Sequence, residues 1–284
     1  METSVLQILE DKMEDFTSAQ RKVADYVLKN PTEVAFLTTE QLAGIIGVSV
    51  ASIMRLAYAV GYSGYSQFQK ALQEMLRSQV APPTRLEQNV KKLGKNKLLV
   101  ACAEAQIGNI QKSVEFLTDE AINKAFELIF SAKRIYVTGV RGSYTVAHYL
   151  YENMNRLGID CEILIPDTGR LQSVLAGLSA NDLLIAISLP RYARRTLEIV
   201  RVAKIRGAKL LSITDGYSSP LALVSDAFLP CAYESISFHN SEIGALFVAD
   251  FLVTGVAARD AKQTRNHLER IEQVVAVLDS NAVK

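Results

Sequence analysis

The cysteines and histidines of this chain never cluster. Cys102, Cys161 and Cys231 lie far apart and form no CxxC pair, which excludes a structural zinc spacing and a disulfide scaffold. Set among apolar neighbours, they are expected as reduced core residues, in keeping with a cytoplasmic protein. The three histidines are as scattered, so neither a metal nor a cofactor is expected. A dominant charge is missing too. The net charge is +1 over 284 residues, and bulk charge alone announces no nucleic-acid partner. Long apolar runs are also absent. The most apolar late stretch, Ala245 to Ala258, is interrupted by Asp250 and is too short to span a bilayer. No signal peptide precedes residue 20, so no membrane partner is expected. No internal repeat or low-complexity segment stands out.

What the chain has is apolar residues in ordered patterns. At 49% hydrophobic it can bury more than one core. Residues 39–60, TEQLAGIIGVSVASIMRLAYAV, are the most informative. Thr39 is a candidate helix cap, with Glu40 near the positive end. Leu42, Ile45 and Ile46 fall on one face of that helix. Gly47 stops it, because glycine takes the left-handed conformation at low cost. Ser49 then caps a second helix that carries Ile53, Leu56 and Val60 inward. Helix, glycine turn, helix is the pattern of helix-turn-helix DNA readers, and also of plain helical hairpins. Upstream, Thr17 or Ser18 caps a helix carrying Val23, Tyr26, Val27 and Leu28, which ends at Asn30-Pro31. Downstream, Gly61 and Gly64 turn the chain and Ser66 opens another helix.

The order T-x-x-Q-R-K-V-A-D-Y-V-L-x-N-P, L-T-T-E-Q-L-A, G-V-S-V-A-S-I-M-R-L and G-Y-S-G-Y-S-Q-F resembles the N-terminal domain of RpiR-type bacterial transcriptional regulators over residues 5–76. That resemblance implies an all-α helix-turn-helix domain over residues 1–78, with duplex DNA as partner. Its reading surface would draw on Thr39, Ser49, Val50, Ala51, Ser52, Arg55 and Tyr58, with Ser49, Ala51, Ser52 and Arg55 early on the groove-facing helix. Arg55 is the only cation there, and the family usually has basic residues where this chain has Tyr58 and Ala59. Residues 1–80 carry a net charge of −2 and residues 81–100 a net of +4. The reading head is therefore not basic, and affinity recovered through dimerisation would suit it.

Pro82-Pro83 and the lysines around Gly94 mark residues 77–97 as a flexible, cationic linker; linker and connecting helix together cover 79–117. From Thr118 onward strands and helices alternate, which predicts an α/β domain over residues 118–284 with a doubly wound parallel sheet. DLLIAIS, residues 182–188, is the near-continuous apolar run of a strand covered on both faces.

Ligands of such sheets gather beyond the carboxyl ends of the strands. Two loops there are candidates. In GVRGSYTVA, Gly142 allows a tight turn and Ser143 opens a helix, an arrangement that can hold a phosphate or simply join strand to helix. The second loop, AISLPRYARRT, and the segment after it resemble a SIS domain, the sugar-isomerase fold, from about residue 122 to 260. That family typically cradles a sugar phosphate with a serine and threonine run around a glycine. Ser188 matches, but Pro190 and Arg191 stand where a serine and a glycine are usual, and Ala193 where a threonine is usual. The replacement is cationic: Arg191, Arg194 and Arg195, with Arg141 and Arg170 on neighbouring loops. An arginine fork binds carboxylate or phosphate at two points, so a small anionic metabolite is the expected ligand, read by Arg191 and Arg141 with Gly142, Ser143 and Ser188. Glu234 and His239 lie in the family's last ligand-side loop.

Together these readings predict a DNA-binding transcriptional regulator, a repressor by family resemblance, whose α/β domain senses an anionic metabolite such as a phosphosugar. A homodimer or homotetramer is implied by the same resemblance. The alternative is a sugar-phosphate isomerase with a helical appendage, for which Glu234 and His239 are the candidate proton carriers.

Overall fold

The computed structural model describes residues 5–79, 82–92, 98–166 and 169–281. The chain forms two units, Met1–Gln88 and Asn89–Lys284.

The first unit is helical: α1 (Val5–Asp11), α2 (Ser18–Lys29), α3 (Pro31–Val34), α4 (Thr39–Ile46), α5 (Val50–Ala59) and α6 (Tyr65–Gln79). Thr17 caps α2 and Gln20 completes a capping box. The cap of α4 is Thr38, one residue before the expected Thr39. Thr38 has extended backbone, its hydroxyl accepts from the Gln41 amide at 3.2 Å, and its own amide donates to Gln41 at 2.8 Å. Only Thr38 has a glutamine three residues on, so only it can close the reciprocal box. Gly47 ends α4 at φ +71°. Ser49 caps α5, and α4 and α5 are bent by 106° at that break, within the range of helix-turn-helix pairs.

Ile53, Leu56 and Val60 reach the core beside Leu42, Val23, Val27 and Phe68. Ile45 does not: it is exposed, and the buried stripe of α4 runs through Leu42 and Ala43 with Ile46 half-buried. Helix α6 starts at Tyr65 rather than Ser66. The buried Tyr65 hydroxyl donates to the carbonyls of Val34 and Leu37 at 3.2 and 3.0 Å, which fixes the start of α6 against the loop before α4.

Inside the stretch expected as flexible linker lies α7 (Pro82–Lys92). Pro82 and Pro83 occupy its first turn, where a missing N–H costs no helical hydrogen bond and the fixed φ is already helical. The proline pair therefore starts a helix instead of ending order. The lysines at 95 and 97 and Gly94 lie outside the described residues.

In the second unit α8 (Leu98–Phe116) and α9 (Asp119–Ser131, capped by Thr118) precede the alternation β1 (Arg134–Thr138), α10 (Ser143–Arg156), β2 (Cys161–Ile163), α11 (Leu171–Gly177), β3 (Asp182–Ile187), α12 (Arg194–Ile205), β4 (Lys209–Thr214), β5 (Ala227–Pro230), α13 (Ile243–Arg259) and α14 (Ala261–Asn281). All five strands are parallel, in the order β2-β1-β3-β4-β5. Alternate residues of each strand feed two cores. Ile135, Val137, Leu183, Ile185, Ile187, Leu211 and Ile213 face α9, α10 and α13, while Tyr136, Leu184, Ala186 and Leu210 face α11 and α12. The sheet is thus doubly wound, as the apolar run at 182–188 predicts.

The strand order reverses between β1 and β3, so the chain leaves those two neighbours toward opposite sides and opens a crevice at their carboxyl ends. Cys161 and Cys231 are buried, with the Cys161 thiol pushed up to about 12 by burial and the acids beside it. Cys102 is exposed on α8, against expectation; its apolar neighbours Leu98, Leu99 and Val100 are themselves exposed. Among the described residues no single helix is long and apolar enough to cross a membrane.

Candidate functional site

Two surfaces carry the candidate residues. On the first unit, α5 turns one side outward. Ser49, Val50, Ala51, Arg55 and Tyr58 are exposed, Tyr58 by 55%, and Thr39 is half-buried in the first turn of α4. Ser52 departs from expectation. It is only 5% exposed, its hydroxyl lies 2.9 Å from that of Ser49, and Arg55 donates to it at 3.4 Å. Ser52 therefore completes the cap and steadies Arg55, and is withdrawn from the surface that a base edge could reach. The outward side offers one guanidinium, one phenol, one hydroxyl and small apolar groups, which suits a groove.

On the second unit, the loops after β1 and β3 leave the same edge of the sheet, since Thr138 and Ala186 are paired in register. Each loop carries an arginine in the left-handed region: Arg141 at φ +59° and Arg191 at φ +72°. These are the only non-glycine residues with positive φ among those described. A side chain in that region costs roughly 1 kcal/mol, and such conformations gather at functional sites. Arg191 stands where the resemblance leads one to expect glycine, and its backbone adopts the left-handed turn that glycine favours.

The neighbouring cations are differently placed. Arg194 and Arg195 both pair with Glu198, at 2.8 and 3.1 Å, and Arg170 pairs with Glu162 at 2.8 Å. Arg141 and Arg191 have no ion-pair partner among the described residues, which singles them out from the five.

Ser143 and Ser188 are both nearly buried. The Ser188 hydroxyl accepts from the Ala193 amide at 3.3 Å and its carbonyl accepts from Thr214 at 2.8 Å, which fixes the entry to α12. Next to it the Tyr192 hydroxyl donates to both oxygens of Asp215 at 3.0 Å; burial raises both groups above their usual ranges. The two residues expected in the last loop are ordinary by geometry. Glu234 pairs with Lys112 at 2.9 Å, and His239 is exposed with its ring against Phe238. What holds that loop is α8. Asn109 bonds both backbone groups of Glu234, at 2.7 and 2.9 Å; Ser113 accepts from the Ala232 amide at 3.0 Å; and Gln106 accepts from the Ser241 hydroxyl.

The residue missed from the sequence is Glu242, at the entry to α13. A Cβ built on Gly142 would stand 2.3 Å from its Oε1, so the carboxyl group lies directly on that glycine. Ser143 hydrogen-bonds to it, Oε2 is buried without a partner, and burial pushes its pKa up to about 7. No short motif marks it, because Glu242 and Ser143 meet only when α13 packs on α10.

The raised pKa has a thermodynamic consequence. Over the window from the ordinary value of 4.5 to about 7 the folded state holds a proton that the unfolded state has released. Stability from this group is therefore full below 4.5 and falls as pH rises through 7. Against Glu242→Gln, the wild-type protein should lose melting temperature progressively between pH 5 and pH 8. Parallel curves for the two proteins would contradict this. Facing groups are the Ser143 hydroxyl from α10 and the Cys231 thiol after β5, which burial above all keeps protonated.

Among the described residues no three His, Cys, Asp or Glu side chains group to hold a metal ion. The rpiR-family helix-turn-helix domain model matches residues 3–79, and the SIS domain model matches residues 128–258. The chain is 26% identical to the HTH-type transcriptional regulator HexR of Pseudomonas aeruginosa, over 95% of each chain. It is similar to the Vibrio vulnificus NanR protein, whose structure is complexed with ManNAc-6P: TM-score 0.68, 25% identity, 97% of this chain and 99% of that one. It is also similar to the sugar isomerase domain of an RpiR transcription factor from Sphaerobacter thermophilus: TM-score 0.61, 29% identity, 63% of this chain and 99% of that one.

Proposed function

The chain belongs to the rpiR family of helix-turn-helix proteins, with a SIS domain after the helical one, and from that premise we propose that it is a transcriptional regulator that binds duplex DNA and responds to a phosphosugar. The helical unit would insert α5 into the major groove, with Ser49, Val50, Ala51, Arg55 and Tyr58 toward the bases and phosphates and Thr39 near the backbone. Repression is the sign that the family likeness favours. A cytoplasmic location would suit the work of a DNA reader. A homodimer or homotetramer would supply the two reading heads that a palindromic operator needs, and would offset the single cation of α5.

The observation that carries the effector reading is the pair of unpaired, left-handed arginines, Arg141 and Arg191, at the strand-order reversal. Phosphate oxygens would bond their guanidinium groups, while Gly142 and Ser143 at the start of α10 would touch another part of the same ligand. Ser188 would act on the same ligand or through the loop it fixes. A regulatory rather than catalytic role is supported by the family and by the geometry of Glu234, whose carboxylate is already engaged by Lys112.

The test of the DNA-reading surface is a gel shift on the DNA upstream of the gene and its neighbours. Arg55→Ala should weaken the shift about tenfold, the loss of one good base or phosphate contact, with melting temperature unchanged. Undiminished binding by that variant would remove α5 as the reading element. Addition of hexose phosphates should change the affinity of the wild-type protein, and no response to any of them would remove the effector reading.

A further inference from the structure

Glu242 is a carboxyl group with an unfilled requirement. One oxygen rests on Gly142 and within hydrogen-bond reach of Ser143; the other is buried and has no partner. A buried carboxylate oxygen left bare costs free energy comparable to a lost hydrogen bond to a charged group. Among the described residues no cation pairs with Glu242, although the same sheet edge carries Arg141 and Arg191. Its position is also enforced. Gly142 has no side chain to displace it, and Gly244, two residues on, allows α13 to approach the Ala232 carbonyl closely. The fold thus drives a bare acid into the start of α10, a place where helix amides favour negative charge.

A second anion would be repelled there, whereas a hydrogen-bond donor would satisfy the open oxygen. The phosphate end of a ligand and its hydroxyl-bearing end therefore have different places to go: cationic loops for the first, Glu242 for the second. We propose that Glu242 determines the specificity of the effector site by accepting a hydrogen bond from a hydroxyl or amino group on the sugar portion of a sugar phosphate. This rests on the effector reading given above. Simple phosphates, which lack such a donor, gain nothing from Glu242. A shift of its carboxyl group toward neutral pH follows from the same burial and makes the contact adjustable by proton uptake.

The test is calorimetric titration of the full-length protein with inorganic phosphate, glucose 6-phosphate, glucosamine 6-phosphate and N-acetylmannosamine 6-phosphate. Wild type, Glu242→Ala, Glu242→Gln and Arg191→Ala would be compared at pH 6 and pH 8. At least one hexose phosphate should bind wild type and lose about tenfold or more in affinity on Glu242→Ala, the value of one hydrogen bond to a charged acceptor. Glu242→Gln, which keeps an acceptor oxygen, should recover part of the loss for a hydroxyl donor and none for an ammonium donor; this separates the two donor types. Inorganic phosphate should bind Glu242→Ala at least as well as wild type. Hexose phosphate affinity unchanged in Glu242→Ala but lost in Arg191→Ala would overturn the role of Glu242 and leave the effector reading standing. No binding of any hexose phosphate to wild type would overturn both. Glu242→Gln is nearly isosteric, so it reports on specificity even where the alanine variant folds poorly.

Discussion

Arg191→Gly is expected to raise the melting temperature of the protein and at the same time weaken its hold on an anionic effector. The two effects have separate origins at one residue. The backbone at Arg191 sits at φ +72°, a region that glycine enters without the steric penalty of a Cβ. Removing that penalty stabilises the fold by a few tenths to about 1 kcal/mol, after the extra entropy of glycine in the unfolded chain is subtracted. For a domain of this size that is roughly 2 °C. Loss of the guanidinium removes charge-assisted hydrogen bonds worth about 1.5 to 3 kcal/mol, or about 10- to 100-fold in dissociation constant. Scanning calorimetry and titration with the tightest hexose phosphate would measure both. Arg191→Ala is the control: it should show the affinity loss without the gain in stability. Unchanged affinity in both variants would mean that the left-handed arginine serves no ligand.

The largest loss of stability is expected from Gly244→Ala. A Cβ at that position would stand 2.2 Å from the Ala232 carbonyl oxygen and 2.8 Å from the Ser113 hydroxyl. The first of these is backbone, held by Ser113 through the neighbouring amide, so it cannot swing aside as a side chain can. Helix α13 must shift away from α8 and the loop after β5. Forced overpacking of this kind costs about 3 kcal/mol, a fall of about 6 °C or more in the transition of the α/β unit. The helical unit shares none of these contacts, and its own transition should stay in place. Binding should suffer as well, since moving α13 carries Glu242 off Gly142. A Gly244→Ala protein that melts like wild type would show that the close approach of α13 is not needed.

Most of the fold was legible in the sequence because local rules and tertiary packing agree. Gly47 and Ser49 do what their types favour, and β3 runs along the near-continuous apolar stretch at 182–188. The failures have physical reasons. Thr39 and Thr38 are both good caps, and only the reach of Gln41 decides between them. Pro82-Pro83 is a stop signal after a helix and a start signal before one, and sequence alone does not say which side is helical.

For the candidate site, the sequence marks the loops after β1 and β3 and only part of their chemistry. The family resemblance puts Ser52 on the groove-facing side, but its hydroxyl turns in toward Ser49. The left-handed backbone of Arg141 could not be read from an arginine, a residue with no preference for that region. Glu242 stands 99 positions after Ser143 in the chain, and nothing short of the packing of α13 on α10 brings them together.

The grip of α8 on the segment between β5 and α13 has a mechanical meaning. Asn109, Ser113 and Gln106 bind that segment at Glu234, Ala232 and Ser241, so three fasteners spaced over two helical turns pin it to one rigid rod. At 1.5 Å per residue the 19 residues of α8 make a lever about 28 Å long. A displacement of the turn that leads into Glu242 would thereby move that lever as a whole, and under rotation its N-terminal tip would travel farther than the turn itself.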